Sequence, residues 1–348
     1  MMDQILTDSF EQLILEQCDP ARIRRIEAGE PTESLWALLH ESGFMDALVP
    51  EDRGGAGLGL RDVADLFIAC GRHALPVPVA HTALARAELS LAGIEPPSGS
   101  ITLADRCRVD ESGTIVASAV PFGLTADWVW ARISNDSVSL LPTGEAERQL
   151  SGGHGSLAAD LRWKSRPAAA ISATGIVDSA FDLRSTGAAV NAALLAGAMA
   201  RVLEMSIGYA NERVQFGKPI GKFQAVQQQL SVLSEQTYAS RTAALLGLSS
   251  ITHRVDPRLA AIAKSRASEA AVVAAAIGHA VHGAIGITAE YDLQLYTRRL
   301  HEWRREYGGE TYWNSLLGRQ LRAAAEAPLE FVRLLCTREN DSTTMRTP

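Results

Sequence analysis

Cysteine is scarce: four residues in 348, Cys18, Cys70, Cys107 and Cys336, lie far apart and form no CxxC pair. A chain this long buries its own core without covalent staples, so a disulfide scaffold is excluded and the thiols read as those of a reduced, cytoplasmic protein. Positive charge is not in excess either. With 33 Lys and Arg against 40 Asp and Glu, net charge −7, no basic stripe stands out to follow a phosphate backbone, and nucleic acid is not expected as a partner. A long apolar run is also missing. The most apolar segment, AAVNAALLAGAMA between Arg184 and Arg201, falls short of the roughly 20 residues that cross a bilayer. It reads as a buried core helix, and no membrane span is expected. The first residues, MMDQILTDSFEQ, are acidic where an export signal is basic, and no apolar run follows them.

What is present is a globular composition, 47% hydrophobic and 21% charged, with a change of period along the chain. Helical patterns fill residues 1–98, punctuated at Asp19-Pro20, at VPEDRGGAGLG and at GIEPPSGS. Residues 99–182 carry short β-prone runs, ITLADRC, GTIVASAV, ADWVWARIS and SVSLLPTG, bounded by Gly, Pro, Asn and Asp. Over 183–340 long helical stripes return, one with Leu195, Met199 and Val202, the next with Phe223, Val226, Leu230 and Leu233. The expected fold is α+β: an N-terminal helical domain, a small middle β-domain and a C-terminal four-helix bundle packed tightly through its alanines. Gly54, Gly55, Gly57 and Gly59 fit neither GxGxxG nor a Walker spacing and read as a turn. Trp128 and Trp130 share a strand face and read as packing residues.

The segment GYANERVQFGKPIGKFQAVQQQLSVL, Gly208 to Leu233, resembles the acyl-CoA dehydrogenases. In that family such a segment lies at a subunit interface and reaches the ADP part of FAD held by the neighbouring subunit. The resemblance implies FAD as cofactor, with Arg213, Gln215, Phe216, Ile220, Phe223 and Val226 as contacts. A guanidinium supplies a fixed fork of donors for a pyrophosphate, and an aromatic edge suits the adenosine region. The likeness extends to SGFMDALVPEDRGGAGLG and to the helix, glycine turn and tyrosine segment of Ala263 to Arg299, which adds Gly283 as a cofactor contact. His279 and His282 are i, i+3, a spacing that permits metal ligation, but no third ligand accompanies them, and they read as turn residues.

The departures concern the base. The family removes the α-proton of an acyl-CoA thioester with a glutamate, usually in a YEGT loop, while the β-hydrogen leaves as hydride. Here the loop is REYGGETYW, Arg305 to Trp313, and Gly308 or Tyr307 stands at the expected place. The family's minority position, at the start of the first bundle helix, corresponds to Gly187 and Ala188. Ala280 replaces a glutamine that contacts the FAD pyrophosphate, and no WITNA-like strand is found.

Three expectations follow. The favoured one is a base-deficient subunit of a hetero-oligomeric acyl-CoA dehydrogenase, with a homologous subunit and an electron-transfer protein as partners; the short, divergent chain is similar to such actinobacterial subunits in sterol and CoA-ester degradation. The second is an active homo-oligomer with a displaced base, Glu310 or Glu306. The third is a helical assembly protein without enzymatic activity.

Overall fold

Asp19 and Pro20 turn the chain for the first time: the Asp19 carboxylate accepts the Arg22 N–H at 2.7 Å, and Pro20 fills the first helical position, where no N–H is needed. The computed structural model describes residues 2–134, 137–172 and 181–324, with 327, 329–331 and 333. Cys336 lies outside the described residues. Five helices come first: α1 (Met2–Gln17), α2 (Pro20–Glu27), α3 (Glu33–Glu41), α4 (Leu60–Arg72) and α5 (Val79–Leu91). The glycines after Pro50 form a turn, with Gly54 and Gly57 at positive φ.

Eight strands follow, β1 (Ile101–Ala104), β2 (Cys107–Val109), β3 (Ile115–Val120), β4 (Trp128–Ser134), β5 (Ser137–Pro142), β6 (Glu147–Leu150), β7 (Ala159–Trp163) and β8 (Ile171–Ser172). They make two four-stranded sheets, β1-β4-β5-β8 and β2-β3-β7-β6. Strands β1 and β4 run parallel, with Leu103 opposite Trp130. Strand β6, which the periodicity does not reveal, sits at a sheet edge with all four residues exposed, so it carries no alternation to read. Alternation along β4 places Val129 and Ala131 in a cluster shared with Ala117, Leu161 and Trp163 of the other sheet. Trp130 points the other way, stacks on Phe181 at 5.3 Å, and joins a cluster with Leu103, Leu183, Ala188, Tyr307 and Trp313. Both tryptophans, Trp128 and Trp130, pack in this cluster.

The remaining helices are α6 (Leu183–Glu212), α7 (Gln224–Gly247), α8 (Pro257–His282), α9 (Leu293–Trp303) and α10 (Glu310–Ala323), and a hairpin of β9 (Val214–Gln215) and β10 (Lys218–Pro219) separates α6 from α7. Asp182 and Asp256 cap α6 and α8 through the N–H groups of Ser185 and Arg258. At about 1.5 Å per residue α6 is roughly 45 Å long, and α8 packs against α6, α7, α9 and α10. By length and apolarity α6 and the segment Pro257–Ile287 are each able to cross a membrane, which the short apolar run of the sequence did not suggest; 89% of the most apolar window of α6 is buried in the protein, as a core helix requires. Leu195, Met199 and Val202 are fully buried. Of the second stripe only Leu233 is, whereas Phe223, Val226 and Leu230 are partly covered.

Candidate active site

The loop between α9 and α10 takes an unusual path. Tyr307 and Gly308 both have positive φ, 54° and 97°, which glycine adopts freely and tyrosine only when its surroundings hold it there. They do hold it. The Tyr307 hydroxyl donates to the Leu103 carbonyl at 2.9 Å, its ring meets the edge of His81 at 5.7 Å, and it lies so close to Gly187 that a Cβ there would come within 2.4 Å of the ring. Tyr307 therefore covers the second position at which the family resemblance would put a base, and neither Tyr307 nor Gly308 carries a carboxylate.

Glu306, one residue earlier, lines a cavity of about 610 Å³ between the strands and α9. Asp105, Ala119 and Pro121 come from the strands and their connections, the Ser151–Ser156 loop forms another wall, and α9 contributes Arg298, His301 and Glu302. The Glu302 carboxylate accepts the Ser156 hydroxyl, and Arg298 donates to the His154 carbonyl, so the loop is tied to the helix on both sides. Asn191, fully buried in α6, donates to Glu306 Oε2 at 2.7 Å and to the Trp303 carbonyl at 3.2 Å. A carbonyl only accepts, so this second bond fixes which end of the amide faces Glu306. The cavity leaves Glu306 partly accessible while protein surrounds it elsewhere. That desolvation, followed by the Glu302 charge, pushes its carboxyl up to about 8, against the opposing pull of the Asn191 bond and Lys264. A carboxyl poised this close to neutrality is suited to accept a proton from carbon.

Glu310, the other carboxylate of the loop, does not reach the cavity. It is the first residue of α10 and pairs with Arg304 at 2.5 Å. Burial raises its carboxyl, but the Arg304 bond and charge outweigh this and leave it below the ordinary carboxylate range. In this structure Glu310 stands outside the cavity lining: the turn at Tyr307 and Gly308 carries it away, and the helix N-terminus with Arg304 stabilises its charge.

At the other end of α6, Val214 pairs with Pro219 and Gln215 with Lys218 around a Phe216-Gly217 turn, with both φ positive at 53° and 82°. A two-residue hairpin of this kind demands such angles, and a side chain in the left-handed region costs about 1 kcal/mol. Phe216 is also 92% exposed, in edge contact only with Phe223, over which the Lys218 ammonium sits at 4.4 Å. Arg213 and Gln215 are exposed beside it, and Ile220 and Val226 flank the turn partly covered. Gly283 ends α8 with φ 63° and ψ −143°, a conformation nearly confined to glycine. The residues that sequence resemblance assigns to the cofactor thus form one surface around the hairpin, with Gly283 on a separate turn.

The histidines are engaged in packing: His279 Nε2 is 3.0 Å from the Thr297 hydroxyl, and His282 stacks on Tyr209 at 4.6 Å. Sequence reasoning did not single out Asn191, Lys264 or Glu302. For the first two a signal existed, a polar residue inside an otherwise alanine-rich buried stripe; for Glu302, on the exposed side of α9 by pattern, none did.

Residues 185–311 match the acyl-CoA dehydrogenase C-terminal domain family. Acyl-CoA dehydrogenase IpdE2 of Mycobacterium tuberculosis is 33% identical over 315 residues, spanning 86% of this chain and 90% of that protein. Among solved structures the fold resembles that of the ChsE4–ChsE5 complex from Mycobacterium tuberculosis, with a TM-score of 0.75 and 22% identity over 93% of this chain and 98% of that one. It also resembles a Tcur3481–Tcur3483 steroid acyl-CoA dehydrogenase variant, with a TM-score of 0.78 and 23% identity over 93% and 99%. The α+β architecture, the bundle segment and the nearly full-length relationship to IpdE2 agree: the chain belongs to the acyl-CoA dehydrogenase family.

Proposed function

We propose that the protein is a subunit of an FAD-dependent acyl-CoA dehydrogenase in which Glu306 removes the α-proton of the thioester. The observation that carries this is Glu306 itself, a carboxylate on the cavity wall, held by Asn191 and pushed up to about 8. Asn191 occupies Oε2, which leaves Oε1 to take the proton. The geometry favours this displaced base over the base-deficient subunit. A purely architectural role is disfavoured, because keeping Glu302 and Glu306 beside one another in a half-dry cavity costs stability that packing alone would not require.

The side chains present fit FAD at two places. Arg213 and Gln215 offer donors and Phe216 an aromatic face to an ADP moiety, whereas Ala280 offers none. Among the cavity's lining residues Ala119, Ala158, Gly152 and Gly153 bring no bulky group. When bound, FAD supplies the acceptor for the β-hydride. The hairpin points away from its own chain, with Phe216 at 92% exposure beside the exposed Val214, which favours a homologous subunit as partner. A fold like that of the Tcur3481–Tcur3483 steroid acyl-CoA dehydrogenase makes a steroid-derived acyl-CoA the substrate class to test first, with an electron-transfer protein as electron acceptor.

The test is flavin content and acyl-CoA-dependent bleaching, measured with the chain alone and after co-expression with a homologous subunit; absence of both in every combination would sink the proposal. Proton abstraction needs ionised Glu306, so the rate of flavin reduction should rise with pH through about 8 and at pH 7 run at about a tenth of its plateau. A profile flat from pH 6 to 9 contradicts the assignment. At the hairpin, Arg213→Ala is expected to loosen FAD about 10- to 100-fold, the effect of losing a charged hydrogen bond, while the melting temperature of the FAD-free protein stays put, as for other exposed sites. Unchanged FAD affinity would remove Arg213 from the cofactor surface.

A further inference from the structure

Lys264, two turns into α8, is fully buried. Its Nζ lies 2.9 Å from the Trp303 carbonyl, 2.8 Å from that of Arg304, 3.1 Å from that of Gly308 and 3.1 Å from the Ser268 hydroxyl. All four partners accept, because Ser268 spends its own hydrogen on the Arg304 carbonyl at 3.2 Å. A neutral amine would aim its lone pair at one of these oxygens; an ammonium, with three donors and no acceptor, serves all four by sharing one N–H between two of them. The carbonyls are those of the last turn of α9 and of the loop that follows, where the helix dipole favours a cation and where the chain passes through the left-handed residues Tyr307 and Gly308. Glu306 lies between the second and third of these anchors.

We infer that Lys264 is the positioning residue of the proton-accepting loop: its ammonium, set among the final carbonyls of α9, fixes Glu306 toward the cavity and favours its negative charge. This rests on the reading of Glu306 as the base. Burial pushes Lys264 down, while the oxygens that accept from Nζ and the charges of Glu306 and Glu310 favour the ammonium and Arg304 opposes it. Glu306 in turn faces Glu302 and Asp105, which resist its ionisation, and Lys264 with Asn191, which assist it. The cation and the base therefore support each other's charged forms, and α8 reports on a loop it does not contain.

The experiment titrates Glu306 directly in the full chain without substrate, by the infrared carboxyl band that disappears in Glu306→Gln. Lys264→Met, which keeps the side chain's length and removes its charge, should raise the midpoint of that band by about one unit, the usual effect of removing a close opposite charge. Amide hydrogen exchange over residues 303–309 should accelerate about tenfold, as for a loop released from its anchors. Ser268→Ala removes one acceptor of the ammonium without deleting the charge and should move the midpoint the same way by less. A folded Lys264→Met with the wild-type midpoint overturns the inference; if that variant does not fold, an unmoved midpoint in Ser268→Ala does so. A loss of packing alone would speed exchange and leave the titration in place. Failure of the base reading looks different: Glu306→Gln would retain turnover whatever Lys264 does to the band.

Discussion

Glu306→Gln should abolish dehydrogenation while leaving the protein folded. A positioned general base contributes about 10²- to 10⁴-fold, and a loss of that size in the rate of flavin reduction is expected in the loaded assembly. The amide keeps an oxygen for the Asn191 donor, which sits 2.7 Å from Glu306 Oε2, and removes a charge that Glu302 and burial both oppose. Thermal stability should stay level or rise. The companion variant Glu310→Gln separates the two loop carboxylates: its side chain pairs with Arg304, both are about a quarter exposed, and a pair of that kind contributes about 0–1 kcal/mol. Turnover should survive it within about threefold, a change of under 1 kcal/mol in barrier. The opposite ranking, with Glu310→Gln dead and Glu306→Gln active, would mean that the loop rearranges on binding and that the base assignment is wrong.

Glu27→Ala carries the largest expected effect on stability. Glu27 ends α2 almost fully buried and accepts from two arginines of α9, Arg299 Nη1 on Oε1 at 2.6 Å and Arg298 Nη2 on Oε2 at 2.8 Å. Arg299 is itself 4% exposed, and among the described residues its other terminal nitrogen has no hydrogen-bond partner. Removing the shared carboxylate leaves a cation in the core with one remaining bond, to the Ala74 carbonyl; truncating one side of a buried pair costs about 3–5 kcal/mol. Denaturant unfolding should show it, against a change within about 0.5 kcal/mol for Glu30→Ala on the exposed Arg25 pair. A loss below about 1 kcal/mol would mean that water reaches Arg299. Because Arg298 also holds the His154 carbonyl on the cavity wall, Glu27→Ala should weaken substrate affinity as well.

Much of the fold is legible in the sequence. Asp19-Pro20 punctuates the first helical stretch because a carboxylate cap and a residue without an N–H meet the same local need in any context. The stripe Leu195, Met199 and Val202 faces the core because helical spacing alone puts it on one side. Strand β6 is not legible, since an edge strand with both faces in water has no alternation, nor is the partial exposure of Phe223 and Val226, because a stripe does not say how far its own chain covers it.

The site divides in the same way. The segment from Arg213 to Val226 carries the family resemblance in its residues, since the hairpin is local and several of its side chains are exposed. The base is different. Sequence by itself determined that a carboxylate was missing from the expected place and that Glu306 and Glu310 stood on either side of it. Only the tertiary structure distinguishes their surroundings, because these depend on the left-handed turn at Tyr307 and Gly308, on a ring seated against Gly187 more than 100 residues earlier, and on Lys264 and Asn191 reaching the loop from two other helices. Those contacts set the direction of one side chain and the dielectric around it, and neither is a property of the loop's own residues.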